Sequence, residues 1–141
     1  MSNRTDPMLW PARLLILPVL GWNLQCGLLF LLKPHVYAAG FEVVGTPGQS
    51  LVQGLGLLFV MWSVPYVVAL WHPLRQRVSL VEALAMQTIG LLGESWLLAR
   101  LPSGHAALRA TTWRFIWFDG IGALLLMLAV ALTHHATRSR V

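Results

Sequence analysis

The sequence predicts an all-α fold: a polytopic membrane protein built as a four transmembrane helix bundle. The chain has 141 residues, of which 57% are hydrophobic and only 11% are charged, a balance outside the range of ordinary soluble domains. About 20 apolar residues cross the hydrocarbon layer, and four runs reach that length, at 9–32, 51–71, 79–99 and 113–133. Too little chain remains outside them for a separate catalytic domain.

The basic residues collect at the ends of these runs and give the chain a formal net charge of +5. This placement indicates membrane lipids as partners and argues against nucleic acid. Six basic residues fall with the termini and the second loop, and four fall on the opposite side, which favours cytoplasmic termini. The first group is Arg4, Arg13, Arg75, Arg77, Arg138 and Arg140; the second is Lys33, Arg100, Arg109 and Arg114. The excess of arginine over lysine, nine to one, suggests a bacterial genome and hence a bacterial inner membrane.

The first two runs are expected to be helices that a proline bends, Pro18 in the first and Pro65 in the second. The first run is too long for the apolar core of a signal peptide, so we expect an uncleaved helix. Its Cys26 is the only cysteine, which excludes an intrachain disulfide. The loop that follows predicts a short interfacial helix and then a turn over residues 45–48.

The third and fourth runs each contain a carboxylate, Glu94 and Asp119. An acid at the centre of a membrane helix costs roughly 2.5 to 3.5 kcal/mol, so it usually has a partner or a use inside the bundle. Gln87 and Gly90 share a helical face with Glu94, because they precede it by seven and four residues. Gly90 and Gly93 are expected to let a neighbouring helix approach closely.

The depth of the polar residues predicts that they meet in one half of the membrane. Glu94 lies about one and a half turns before its run ends, and Asp119 lies about as far after its run begins, so an antiparallel hairpin brings them level. Asn23 and Gln25 of the first run and Gln53 of the second fall in the same half. Arg114 cannot pair with Asp119 by spacing and is a candidate partner for Glu94 or for a lipid phosphate.

Three interpretations of this cluster stay open. It is a hydrogen-bond network that fixes helix register, a pocket for a lipid, quinone or other small amphiphile, or a proton or ion relay through two coupled carboxylates. The candidate ligand-binding or relay residues are Glu94, Asp119, Gln87, Asn23, Gln25, Gln53 and Arg114.

Familiar catalytic and cofactor motifs are missing from the sequence. It contains no CxxC, HExxH or GxSxG motif, no phosphate-binding glycine loop and no pair of histidines placed to ligate haem. His35, His105 and Glu42 fall on one face but without a spacing that fixes a metal geometry. We therefore expect no catalytic residues, no metal and no cofactor, and favour a protein that is not an enzyme.

The layout resembles the small bacterial DoxX-like membrane proteins. The similar parts are the first helix closing at LLKP, the second helix GQSLVQGLGLLFVMW, the basic turn HPLRQR and the last helix RFIWFDGIGALLLMLA. The resemblance implies an accessory subunit or a role close to quinones. We expect an accessory or scaffold protein that binds a lipid-like or quinone-like molecule or a partner membrane protein. Association of several copies of the chain into a homo-oligomer is the alternative to a partner protein. A proton-coupled transporter and an oxidoreductase subunit are the alternatives.

Overall fold

The computed structural model describes residues 9–138 and is all-helical over that range, with no β-strand in it. Two short turns of helix and four long helices follow one another along the chain. The elements are α1 (Leu9–Leu32), α2 (Pro34–Ala38), a 3-10 turn (Ala39–Phe41), α3 (Gly45–Trp71), α4 (Arg77–Arg100) and α5 (Ala106–Arg138).

The long helices contact one another in the cyclic order α1, α3, α4, α5, and α5 closes the ring against α1. Short connections at 72–76 and 101–105 make the neighbouring helices antiparallel. Glycines set the spacing of α1 and α3. A Cβ at Gly56 would lie only 2.7 Å from the carbonyl oxygen of Gly27, so the two backbones touch at this crossing.

Three layers of side chains fill the space between the long helices. Near the chain termini the layer is aliphatic and includes Ile16, Leu80 and Leu126. At the other end it is aromatic and centred on Phe30, whose ring lies 5.0 Å from Tyr37 and 5.6 Å from Phe41 between centroids. A layer of buried polar side chains lies between them.

Large apolar side chains also cover the outside of the helices. Leu17 is 52% exposed, Ile89 69% and Leu124 55%. Water would disfavour so wide an apolar surface, whereas lipid tails accommodate it. Three helices are long and apolar enough to cross a membrane, namely α1, α3 and α5 over 106–136. The protein is therefore a membrane protein with transmembrane helices.

The structure differs from the sequence prediction at three places. Residues 45–48 were expected to be a turn but form the start of α3. Gly45 adopts a φ of +67°, which lets the chain turn into the helix. Pro47 falls in the first helical turn, where the backbone N–H groups have no partner within the helix and a proline is tolerated. The last helix extends past 113–133 at both ends. The run 79–99 forms α4, but its Glu, Gln, Ser and Thr residues keep it below the apolarity of the other three helices.

Candidate functional site

Gln87 is the centre of the polar layer and joins three helices. Its side-chain amide nitrogen donates to Oδ1 of Asp119 on α5 at 2.7 Å. Its amide oxygen accepts a hydrogen bond from the Tyr66 hydroxyl of α3, also at 2.7 Å. All three residues are at least 92% buried. Asn23 of α1 lies beside the Tyr66 hydroxyl, so each long helix contributes one polar side chain.

Small residues make room for this network. A Cβ at Gly90 would overlap the carboxylate of Asp119, and a Cβ at Gly122 would lie 2.6 Å from the amide nitrogen of Gln87. Gln87 and Gly90, two residues of the predicted face, therefore lie against α5. Gly93 differs from Gly90, since it is exposed and a Cβ there would meet nothing within 4 Å.

Glu94 and Asp119 line a common cleft of about 200 Å³, which we call the acidic cleft. Asp119 uses one carboxylate oxygen to accept from Gln87, while Oε2 of Glu94 is buried with no hydrogen-bond partner. The carboxylates are thus brought level, as predicted from their depth. The cleft lies mainly between α3 and α4, and its lining includes Asn23, Phe59, Trp62, Tyr66, Gln87, Gly90, Gly93, Glu94 and Asp119.

A second and larger cavity lies on the other side of α1 and α5. It has a volume of about 660 Å³ and is bounded by α1, by α2 with its 3-10 turn, and by α5. We call it the aromatic cavity. Its lining includes Trp22, Gln25, Cys26, Phe30, Tyr37, Phe41, Thr111, Arg114, Phe115 and Phe118.

Two consecutive residues on each of two helices separate the cavity from the cleft. Trp22 and Phe118 line the aromatic cavity, and their ring centroids lie 5.0 Å apart. The residues that follow them, Asn23 and Asp119, line the acidic cleft. A helix turns by about 100° per residue, so each helix presents an aromatic ring to one space and a polar group to the other.

The sequence candidates therefore divide between two sites. Asn23, Gln87, Glu94 and Asp119 meet at the acidic cleft, whereas Gln25 and Arg114 line the aromatic cavity. Arg114 forms no ion pair with Glu94; its guanidinium donates to the Ala110 carbonyl and to Thr111, each at 3.4 Å. Gln53 lines neither space and donates to the Leu31 carbonyl at 3.3 Å.

The loop before α3 is attached to the start of α5 and encloses one end of the aromatic cavity. Oε1 of Glu42 accepts hydrogen bonds from the Ala107 and Leu108 backbone amides, both at 3.1 Å. Its Oε2 lies 2.5 Å from Nδ1 of His105. The hydrogen bond with His105, followed by that with the Leu108 amide, lowers the pKa of Glu42. Thr111 adds a 2.7 Å hydrogen bond to the Gly40 carbonyl.

Sequence reasoning did not single out Tyr66 or Thr111. Tyr66 stands in an apolar run with Val and Pro neighbours, and nothing in its local pattern shows that its hydroxyl reaches α4. The sequence offered only its position along the helix, about one and a half turns before the end of α3. Thr111 falls ahead of the predicted fourth span, so the sequence placed it in a loop.

Within residues 9–138 no group of three or more His, Cys, Asp and Glu side chains is arranged to hold a metal ion. Glu42 and His105 do meet, but as the attachment of the loop to α5. Comparison of the chain with models of known protein families, with curated proteins and with solved structures gives no match.

Proposed function

We propose that the protein is an integral membrane accessory or scaffold protein that binds an acidic, lipid-like amphiphile in its aromatic cavity. The amphiphile has an apolar tail and a carboxylate or phosphate head. The observation that carries this proposal is the position of Arg114 at an aromatic-lined cavity, where it has no acidic partner among the described residues.

Arg114 supplies the charge that selects the head group. In the part of the chain that the structure describes, the ion pair found is between Glu42 and His105, and no carboxylate lies within 4 Å of Arg114. The guanidinium makes only two long hydrogen bonds, to its own helix. Guanidinium presents a planar fork of donors that matches carboxylate and phosphate oxygens. Gln25 and Thr111 line the same cavity and add polar groups for a head group.

The rest of the cavity suits an apolar tail. Phe30, Phe41 and Phe115 form a continuous aromatic surface, with Phe41 and Phe115 stacked at 6.2 Å between centroids. The volume of about 660 Å³ lies within the range of roughly 300 to 1,000 Å³ that small-molecule sites occupy. Trp22 and Val36 line the cavity and are each 56% exposed. A lipid-like molecule thus has a path into the cavity from the outer surface of the helices.

The proposal includes four membrane crossings, with α4 as the fourth. Its 24 residues match α1 in number and give about 36 Å of helix, and its polar residues Gln87 and Glu94 face the acidic cleft rather than lipid.

We further propose a bacterial inner membrane and cytoplasmic termini. Arg13, Arg75 and Arg77 support that orientation; Arg4 and Arg140, which the prediction also used, lie outside the described residues.

Purification from native membranes in a mild detergent, followed by mass spectrometry of the organic extract, tests the proposal. We expect one acidic amphiphile in near-stoichiometric amount. Arg114→Gln should reduce the retained amount about tenfold, since a charge-assisted contact contributes roughly 1.5 to 3 kcal/mol. Arg100→Gln is the matched control, because it removes a cation from the same end of the helices, outside the cavity.

Two results would contradict amphiphile binding at this cavity. One is an extract of the wild-type protein without any acidic amphiphile above the level of bulk lipid. The other is equal retention by the Arg114 and Arg100 variants. A protein that copurifies in fixed ratio would instead identify a partner, and an uncharged quinone would remove the reason for invoking Arg114.

A small proton-coupled transporter is the second candidate function. The observation that favours it is the meeting of Glu94 and Asp119 in one cleft. Transport through these acids predicts that Glu94→Gln and Asp119→Asn abolish pH-driven flux in liposomes at unchanged stability. Flux that persists in the double variant would contradict this function.

The resemblance to DoxX-like proteins supports an oxidoreductase subunit as a further alternative. That role requires a redox-active species in the purified complex. An absorbance spectrum without such a species, together with an extract that lacks quinone, would contradict it.

A further inference from the structure

We propose that the acidic cleft is a second binding site, specific for a small organic ammonium cation. The inference concerns the space between α3 and α4, which the proposed amphiphile site does not use. It rests on the two carboxyl groups that line the cleft and on the aromatic and apolar groups around them.

The cleft contains acids without cations. Asp119 is only 8% exposed, and its carboxylate accepts a hydrogen bond from Gln87 through Oδ1. Oε2 of Glu94 is buried and has no hydrogen-bond partner. No Lys, Arg or His side chain lines this space within the described residues. A positively charged ligand would pair with Glu94 and Asp119, to which the described residues that line the cleft offer no cationic side chain.

The remaining walls indicate an organic cation rather than a metal ion. Phe59 and Trp62 lie 6.0 Å apart between ring centroids and line the cleft together with Tyr66. Aromatic faces attract alkylated ammonium groups through the ring quadrupole, and Trp does so most strongly. Met86, Ile89 and Leu97 complete the lining; they offer alkyl contact and no oxygen ligand to a metal ion.

The cleft is accessible from the outer surface of the helices. Trp62 is 48% exposed, and open space surrounds the position where Gly93 lacks a side chain. The volume of about 200 Å³ limits the ligand to a small ammonium compound. The Trp22 and Phe118 rings separate this space from the aromatic cavity, so cation binding does not depend on the amphiphile.

Titration calorimetry with benzyltrimethylammonium tests the proposal on the full chain in dodecylmaltoside, a detergent without an ammonium group. We expect saturable binding of one cation per chain, after subtraction of the heat from empty micelles. Glu94→Gln and Asp119→Asn should each weaken binding at least about tenfold. Asn at 119 keeps an oxygen that accepts from Gln87, so this variant should retain the network. Trp62→Leu should weaken binding roughly threefold to tenfold.

Glu82→Gln is the matched control, because Glu82 is an exposed acid on the same helix and does not line the cleft. It should bind like the wild type. Neopentylbenzene, the uncharged isostere, should give no saturable heat. The proposal is overturned if the wild type does not bind the cation, if neopentylbenzene binds equally, or if Glu94→Gln leaves the affinity unchanged. Should Asp119→Asn not fold, the Glu94 and Trp62 variants still decide the question.

Discussion

Gln87 and Asp119 share a 2.7 Å hydrogen bond that joins α4 to α5 in the middle of the bundle. The same glutamine accepts from Tyr66 on α3 at 2.7 Å, so one side chain both donates and accepts across two helix interfaces. Because all three side chains are buried, loss of either bond leaves a buried polar group without that partner. The network is therefore expected to hold the register of three helices and to position the Asp119 carboxylate at the acidic cleft.

Replacing Gln87 with Leu should destabilise the protein by about 1–3 kcal/mol, since it leaves Oδ1 of Asp119 without its donor. The Tyr66 hydroxyl keeps the Ala83 carbonyl, at 3.2 Å, as an acceptor. The free energy of unfolding can be measured by circular dichroism during titration of dodecylmaltoside micelles with SDS. Thr88→Val is the control, because Thr88 donates only to the Leu84 carbonyl within its own helix. If the two variants lose the same stability, the network does not carry the expected energy.

A methyl group at residue 90 should lower the free energy of unfolding, whereas one at residue 93 should not. Gly90→Ala places its Cβ onto the Asp119 carboxylate, and such overpacking costs about 1–3 kcal/mol. Gly93→Ala meets open space and should gain about 0.5–1 kcal/mol, since alanine is the better helix former. The same SDS titration measures both. Equal stability of the two variants would contradict the close approach of α5 to Gly90.

The crossing of α1 and α3 predicts a similar contrast on a different helix. Gly56→Ala brings a Cβ within 2.7 Å of the Gly27 carbonyl oxygen and 2.9 Å of the Leu31 nitrogen. Backbone atoms cannot move aside as a side chain can, so the expected loss is about 2–3 kcal/mol. Gly54→Ala, two residues away, meets nothing within 4 Å and should gain about 0.5–1 kcal/mol, as Gly93→Ala does. An unchanged melting temperature for Gly56→Ala would show that the helices are farther apart.

The sequence predicted the depth of the polar groups better than their direction. Spacing of seven and four residues was enough to place Gln87, Gly90 and Glu94 on one face, and hairpin geometry then brought Asp119 level. Asn23 and Gln25 have nearly equal depth, but two residues on a helix are about 200° apart. They therefore line different spaces, a separation that an argument from depth alone does not reveal.

The connections were the least predictable part of the fold. The start of α3 depends on the positive φ of Gly45, and the early start of α5 depends on a carboxylate 65 residues away in sequence, at Glu42. Long-range contacts of this kind leave no local pattern. The bounds of α1, by contrast, followed directly from a long, predominantly apolar run.

The attachment of Glu42 to the start of α5 predicts a dependence of stability on pH. The pKa of Glu42 is lowered from its ordinary value of 4.5, first by the hydrogen bond with His105 and then by that with the Leu108 amide. A carboxylate with a lowered pKa stabilises the folded state fully above the unfolded value and loses this contribution as the pH falls through the lowered one. The contribution of Glu42 should therefore be complete above about pH 4.5 and disappear below it.

Melting temperatures of the wild type and of Glu42→Gln, compared across this pH range, test the attachment. The glutamine keeps an oxygen that accepts from the Ala107 and Leu108 amides but lacks the charge that favours the N-terminus of α5. The wild type should melt higher above pH 4.5, and the two curves should converge as the medium becomes more acidic. Glu82→Gln, at an exposed position of α4, controls for the change in net charge. A constant difference between wild type and Glu42→Gln down to strongly acidic pH would contradict a carboxylate that attaches the loop to the helix, because protonation would then have no effect on the contact.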